Sequence, residues 1–207
     1  MPDSCCSSKA GELEQLARGL HQRRVLIIVL AINAVMFVLE FGAGLAAGSS
    51  ALMADASDML GDALVYGVSI YALARSGAWK AMAAMIKGML ILFLGIGAGI
   101  NVIFTLGSGV PPSSTLMLLF GGLALAANLS CLALLNRFRS HDINMASTFE
   151  CSRNDVISNT GVLIAAGLVA AFNSAWPDIL VGSAIALILL RSAFRVIGRA
   201  GEQILRS

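Results

Sequence analysis

Six long apolar stretches dominate this chain and limit what it can fold into. They cover residues 25–47, 51–75, 82–106, 115–136, 145–171 and 179–198. Each has about 20 residues or more, the length that an α-helix needs to cross roughly 30 Å of hydrocarbon. Inside lipid the backbone must satisfy its own hydrogen bonds, so only helices or closed barrels span, and the alternating pattern of barrel strands is absent. The sequence therefore predicts an all-α membrane protein with six transmembrane helices.

The composition favours a membrane protein over a soluble domain. Of the 207 residues, 57% are hydrophobic and 13% are charged, whereas a soluble domain has about 25% charged residues. We expect a cytoplasmic N-terminal tail at 1–24, a six-helix transmembrane domain at 25–198 and a short cytoplasmic tail at 199–207. The net charge of +2 is too small to indicate nucleic-acid binding.

Lys and Arg are distributed unevenly between the two sides of the predicted membrane domain. Most of them lie before span 1, at the 2–3 and 4–5 loops and at the C-terminal end, while the other three turns contain none. By the positive-inside rule, both termini are predicted to be cytoplasmic. The apolar run of span 1 is too long for a cleaved signal peptide, so we expect a multi-pass protein of the cell (inner) membrane.

Two of the predicted spans contain pairs of chemically active side chains. Span 2 carries Asp58 and Asp62, and span 5 carries Cys151 and Asp155. Residues four apart lie on one face of a helix, and like charges at this spacing repel unless a cation lies between them. Because ionisable groups in hydrocarbon are costly, they are candidates for function.

The depth of the two pairs allows them to meet. Asp62 lies about 12 residues into span 2 and Asp155 about 10 residues into span 5, which is roughly 18 Å and 15 Å at 1.5 Å per residue. If the two spans pack together, Asp58, Asp62, Cys151 and Asp155 would form a tetrahedral site of three carboxylates and one thiolate. Such a site favours Zn²⁺, and also Cd²⁺, over Mg²⁺ and Ca²⁺, which prefer six or more oxygen ligands.

The predicted ligands also imply a coupling to protons. They bind metal in the deprotonated form, so protons and metal compete for one site. Alternating access to that site from the two sides would make the protein an antiporter of divalent metal and protons. We expect no catalytic and no cofactor-binding residues, because the metal is the transported substrate.

Other polar residues in the spans have more ordinary interpretations. Asn33 is expected to make an interhelical hydrogen bond, and Asn128 and Cys131 to be small packing residues. Asp55, near the start of span 2, is expected to be a helix cap or to have a polar partner. Glu40 is expected to line the transport path or to pair with a cation.

The two motifs resemble those of one known family. The segment GSSALMADASDMLGD, from Gly48 to Asp62, is similar to the span-2 signature of the cation diffusion facilitators, and NDVISNTGV, from Asn154 to Val162, is similar to their span 5. The resemblance covers about residues 25–200. It implies a homodimer in the lipid bilayer that exports divalent metal from the cytoplasm in exchange for protons. It assigns the family's four midplane ligands to Asp58, Asp62, Cys151 and Asp155.

The sequence departs from the family pattern in two ways. The family usually has histidine where Cys151 stands and often also at Asp58, so the metal preference does not simply carry over. Most members also have a cytoplasmic C-terminal domain, whereas this chain ends at residue 207, shortly after span 6. We therefore expect a short member without regulation by that domain, whose dimer would rest on membrane contacts.

Three other classes of function are alternatives to transport. An intramembrane aspartyl protease would have a Gly-x-Gly-Asp pattern, but residues 59–61 before Asp62 are Met, Leu and Gly. A metal-binding sensor or scaffold would bind metal without flux. A proton-coupled exporter of organic cations would need an aromatic-lined cavity, and aromatic residues make up only 6% of the chain.

Overall fold

The described part of the chain is helical throughout. The computed structural model describes residues 3–72, 77–136 and 143–206. These ranges contain no strand and form six helices: α1 (Asp3–Ala47), α2 (Ser50–Ala72), α3 (Gly77–Ser108), α4 (Ser114–Asn136), α5 (Ile143–Phe172) and α6 (Trp176–Arg206). The predicted all-α fold with six helices is confirmed. Helix α1 begins at Asp3, so the helix continues through much of the predicted N-terminal tail.

Five of the six described helices are long and apolar enough to cross a membrane. The five segments are Arg23–Ala47, Gly88–Ser108, Ser114–Asn136, Ser152–Phe172 and Trp176–Gly198. The remaining helix, α2, has 23 residues but carries three aspartates. An intramembrane acid is costly unless it faces the inside of a bundle. The packing of α2 inside the bundle keeps its aspartates away from lipid.

Helix α2 lies at the centre of the bundle. It packs against α1, α3, α5 and α6, whereas α3 packs mainly against α6 and α4 against α5 and α1. Its alanines Ala51, Ala54 and Ala56 are fully buried. Small residues let helix backbones approach closely, which is how transmembrane helices associate in the absence of a hydrophobic driving force. Helix α2, with its three aspartates, is therefore well shielded from lipid.

Three short turns lie together at one end of the bundle, which we call the turn end. The turns connect α1 to α2, α3 to α4 and α5 to α6. Gly48 and Gly109 have φ angles of 68° and 63°, a left-handed conformation that glycine adopts without steric cost. The amide of Ser113 donates a hydrogen bond of 2.9 Å to the carbonyl of Ala47, which ties two of these turns to each other.

A fully buried aspartate joins α6 to the start of α2 at the turn end. Asp178 accepts hydrogen bonds from the hydroxyls of Ser49 and Ser50, at 2.5 and 2.7 Å. It also accepts bonds from the backbone amides of Ser50 and Ala51, at 2.8 and 3.1 Å. The first amides of a helix have no partner within the helix, and its positive end favours an anion. We call Asp178, Ser49, Ser50 and Ala51 the Asp178 clamp.

Close backbone contact supports the Asp178 clamp. Gly182 lies one turn after Asp178, and a Cβ atom there would be 2.9 Å from the carbonyl carbon of Ser50 and 3.0 Å from the amide nitrogen of Ala51. Any larger residue would push α6 away from α2. Sequence reasoning did not detect this contact, because no sequence pattern around Asp178 names its partner.

Candidate metal centre

Helix α2 presents its three aspartates toward neighbouring helices. Asp55 is 1% exposed, and Asp58 and Asp62 are half-buried. The spacings of three and four residues place all three carboxylates on one face of α2. Each is close enough to the next for their charges to interact. A continuous row of acids therefore runs along the central helix.

Helix α5 adds a fourth carboxylate to this row. Asp155 is 3% exposed, and it interacts electrostatically with Asp62 and Asp58 and more weakly with Asp55 and Glu40. Helices α2 and α5 pack against each other, as the predicted site requires. The oxygen Oδ2 of Asp155 is buried and has no hydrogen-bond partner. A buried acid with a free oxygen is well suited to take up a proton or a cation.

The fourth predicted ligand, Cys151, lies in α5 one turn before Asp155, but its side chain is outside the described part of the structure. Among the side chains that are described, no three His, Cys, Asp or Glu residues form a group that could hold a metal ion. The four-ligand centre of Asp58, Asp62, Cys151 and Asp155 therefore stays a prediction. The side chains of Cys5 and Cys6, two further thiols of the chain, also lie outside the described set.

A chain of amides connects the acids of α2 to α5 and α4. Asn128 of α4 donates to Oδ1 of Asn159 in α5 at 3.1 Å. Asn159 in turn donates from Nδ2 to Oδ2 of Asp55. All three side chains are buried. The predicted polar partner of Asp55 is thus Asn159, and Asn128 is more than a packing residue.

Asn33 differs from its prediction. Its Nδ2 donates to the carbonyl of Val29 in the same helix at 3.0 Å, and its Oδ1 is buried without a partner. The expected interhelical hydrogen bond is therefore wrong. The side chain is long enough to reach back to the preceding turn of α1, and this local bond takes the place of a contact between helices.

Glu40 is the most unusual side chain near the centre. It lies in α1, is 0% exposed, and both of its carboxylate oxygens lack a hydrogen-bond partner. Its charge interacts with that of Asp55 across the α1–α2 contact. An uncompensated carboxylate in such a place is strongly unfavourable unless it is neutralised or paired.

A buried thiol of α4 also lies near Asp155. Cys131 of α4 is 0% exposed and free, and it is close enough to Asp155 for an electrostatic interaction. It packs with Val25, Val29 and Leu135 in a small apolar cluster. The predicted packing role of Cys131 is confirmed by this cluster.

Comparison with known proteins identifies the class to which this fold and this row of acids belong. The cation efflux transmembrane domain matches residues 26–205. The chain therefore belongs to the cation efflux family, and it is a multi-pass membrane protein. The family assignment made from the span-2 and span-5 motifs is confirmed.

Two bacterial relatives resemble this chain over most of its length. The cadmium, cobalt and zinc/H(+)-K(+) antiporter of Bacillus subtilis (strain 168) is 24% identical over 192 residues, 86% of this chain and 61% of the relative. The protein of the same description from Bacillus velezensis (strain DSM 23117 / BGSC 10A6 / LMG 26770 / FZB42) is 24% identical over 194 residues, 87% of this chain and 62% of the relative. The chain thus spans about three fifths of the length of these relatives.

A plant relative matches a shorter region. Metal tolerance protein A2 of Arabidopsis thaliana is 34% identical over 80 residues, which are 39% of this chain and 20% of the relative. The names of all three relatives refer to metals.

Proposed function

We propose that the protein is a transporter that exchanges Zn²⁺ or Cd²⁺ for a counter-cation by alternating access. The main counter-cation in this proposal is the proton. One observation carries the proposal: Asp155 of α5 lies within electrostatic reach of Asp62 and Asp58 of α2 and has a buried oxygen without a partner. Membership of the cation efflux family supports a transporter rather than an enzyme. The printed names of the two Bacillus relatives support cadmium and zinc as substrates, together with H⁺ and K⁺ as counter-ions.

The chemistry of the proposed ligands accounts for exchange. Carboxylates and thiolates bind metal only when they are deprotonated, so each metal ion that binds releases protons. A proton that arrives from one side therefore expels the metal, and metal that arrives from the other side expels the proton. Metal affinity should fall with decreasing pH by up to about tenfold per pH unit for each proton displaced.

The proposed donor set explains the choice of metal. Three carboxylates with the Cys151 thiolate would form a four-coordinate site, which suits Zn²⁺. A thiolate is a softer ligand than the histidine usual at this position in the family, so it should raise the preference for Cd²⁺. Export from the cytoplasm, cytoplasmic termini and a homodimer through membrane helices belong to the same proposal.

Proteoliposomes that contain the purified protein test this function. Zn²⁺ or Cd²⁺ is added outside, and metal uptake and internal pH are recorded with two fluorescent dyes. We expect metal flux and an opposite proton flux for the wild type and loss of both for Asp155→Asn, which keeps the size of the side chain and removes its charge.

A variant on the same helix is the control. Thr160 is exposed and its hydroxyl bonds to the carbonyl of Val156 in its own helix at 2.7 Å. Thr160→Val should therefore transport like the wild type. Normal flux in Asp155→Asn would reject the proposed site, and metal binding without any flux in the wild type would indicate a sensor or scaffold.

A further inference from the structure

The proposed metal ligands leave Glu40 without a role. Of the carboxylates whose side chains are described, Glu40 alone has both oxygens buried and without a hydrogen-bond partner. It is 0% exposed and lies seven residues before the end of α1, within the membrane-spanning segment Arg23–Ala47. A lone charge of this kind is rarely kept in a membrane interior unless a ligand compensates it.

Among the described residues, the charged groups that interact with Glu40 are acids, and none of them supplies a positive charge. Across the α1–α2 contact the nearest charge is Asp55, and Asp155 of α5 lies further away. Helix α4, which also packs on α1, contains no charged residue. Asp55 receives a hydrogen bond from Asn159, so its charge is partly stabilised. The carboxylate of Glu40 receives no hydrogen bond.

A shared proton and a metal cation are two ways to relieve the repulsion between Glu40 and Asp55. A proton shared by two carboxylates draws their oxygens to about 2.5–3.0 Å, the length of an O–H···O hydrogen bond. No amide or hydroxyl donor lies at hydrogen-bonding distance from either oxygen of Glu40, so the protein supplies no neutral group that stabilises its charge. A cation between two carboxylates holds their oxygens further apart than a hydrogen bond does.

We propose that Glu40 and Asp55 form a second cation site, separate from the Zn²⁺/Cd²⁺ ligands, that binds a monovalent alkali cation such as K⁺. The donors are all oxygens, which prefer hard cations over soft ones. The site rests on the proposed transport function, in which it would hold a counter-ion. Asp55 then connects the two sites, since it lies three residues before Asp58 on the same face of α2.

Radioactive Rb⁺, a substitute for K⁺, tests the binding directly in detergent-purified protein. We expect saturable Rb⁺ binding that K⁺ competes away and choline does not. Glu40→Gln should weaken Rb⁺ binding about tenfold or more, because it removes the charge and keeps the size of the side chain. Glu40→Asp keeps the charge and should retain more of the binding than Glu40→Gln.

Two controls keep the test specific. Glu202→Gln makes the same chemical change at an exposed position of α6 and should leave Rb⁺ binding unchanged. Size-exclusion profiles show whether each variant is folded. Rb⁺ binding that is equal in the wild type and Glu40→Gln, or absent from the wild type, would overturn the inference.

Flux separates this inference from the proposed function. In proteoliposomes, K⁺ in place of choline on the side opposite to Cd²⁺ should increase Cd²⁺ flux in the wild type and not in Glu40→Gln. If Cd²⁺ flux is normal but indifferent to K⁺ in both proteins, the transport function stands and the second site is rejected. If no Cd²⁺ flux occurs under any condition, the proposed function fails, while Rb⁺ binding still decides the site.

Discussion

Two carboxylates are buried to the same extent in this protein, but only one of them has hydrogen-bond partners. Asp178 at the turn end and Glu40 in the membrane-spanning part of α1 are both 0% exposed. Asp178 accepts four hydrogen bonds from the other residues of the Asp178 clamp. Both oxygens of Glu40 lack a partner. Burial alone therefore does not distinguish a structural acid from one that binds a ligand.

The difference lies in which partners the protein supplies. At the turn end, the amides of an unpaired helix start and two serine hydroxyls surround the charge, so it needs nothing from outside. Near the middle, the acids of α1, α2 and α5 face each other, and repulsion between them favours a cation. Asp55 and Asp155 are intermediate cases: Asp55 has a bond from Asn159, and Asp155 keeps one free oxygen.

The largest effect is expected from Asp178→Asn. The amide cannot accept all four hydrogen bonds, so buried donors at the start of α2 would lose their partners. We expect a loss of about 3 kcal/mol or more in the free energy of unfolding. Thermal unfolding of the detergent-purified protein, followed by circular dichroism, measures it. An unchanged unfolding temperature would show that the Asp178 clamp does not stabilise the bundle.

A smaller loss in the free energy of unfolding is expected from Asn159→Leu. The change leaves Nδ2 of Asn128 and one oxygen of Asp55 without partners, at a cost of about 2 kcal/mol. Metal flux should fall as well, because Asp55 is no longer held toward α5. Thr160→Val on the same helix should change stability by less than about 0.5 kcal/mol. Equal stability of the two variants would argue against the Asn128–Asn159–Asp55 chain.

In buffer without alkali cations, Glu40→Gln is expected to raise the free energy of unfolding, whereas the two previous changes lower it. Replacing an uncompensated buried charge by a neutral group of the same shape should raise stability by about 1 kcal/mol. Added K⁺ should then stabilise the wild type and not the variant, since a ligand stabilises only the state that binds it. A clear loss of stability in Glu40→Gln would mean that Glu40 has a structural partner like that of Asp178.

The smallest effect is expected from Cys151→His, which changes one ligand for another. Zn²⁺ flux should persist, and the ratio of Cd²⁺ to Zn²⁺ flux should fall about fivefold, or about 1 kcal/mol. Cys131→Ala provides the comparison, because this second thiol also lies near Asp155. If Cys131→Ala lowers the ratio and Cys151→His does not, the thiol ligand comes from α4.

The helices were largely predictable from the sequence, because their lengths follow from the apolar stretches. Span 4 was predicted at 115–136, and α4 runs from Ser114 to Asn136. The i, i+4 spacing also identified the acids of α2 and α5. Partners across helices were not predictable, because they depend on how the helices pack. Nothing in the sequence near Asn33 distinguishes a bond within α1 from a bond to another helix, and that prediction was wrong.

The same packing hides the partners of the two contrasting acids. Asp178 and the serines of the clamp lie about 128 residues apart in the chain, and no sequence pattern connects them. For Glu40, the sequence already indicated a costly buried charge with a cation as one possible partner. Only the structure shows that Asp55 faces it and that neither of its oxygens is satisfied.

The Asp178 clamp has a mechanical consequence, since it makes the start of α2 a pivot. Helix α2 has 23 residues, so it is a lever about 35 Å long. A tilt of about 10° around the clamp would move Asp58 by about 2 Å, Asp62 by about 3 Å and the far end of α2 by about 6 Å. A metal–ligand bond is only about 2 Å long. A rotation too small to disturb the turn end is thus large enough to take a metal site apart.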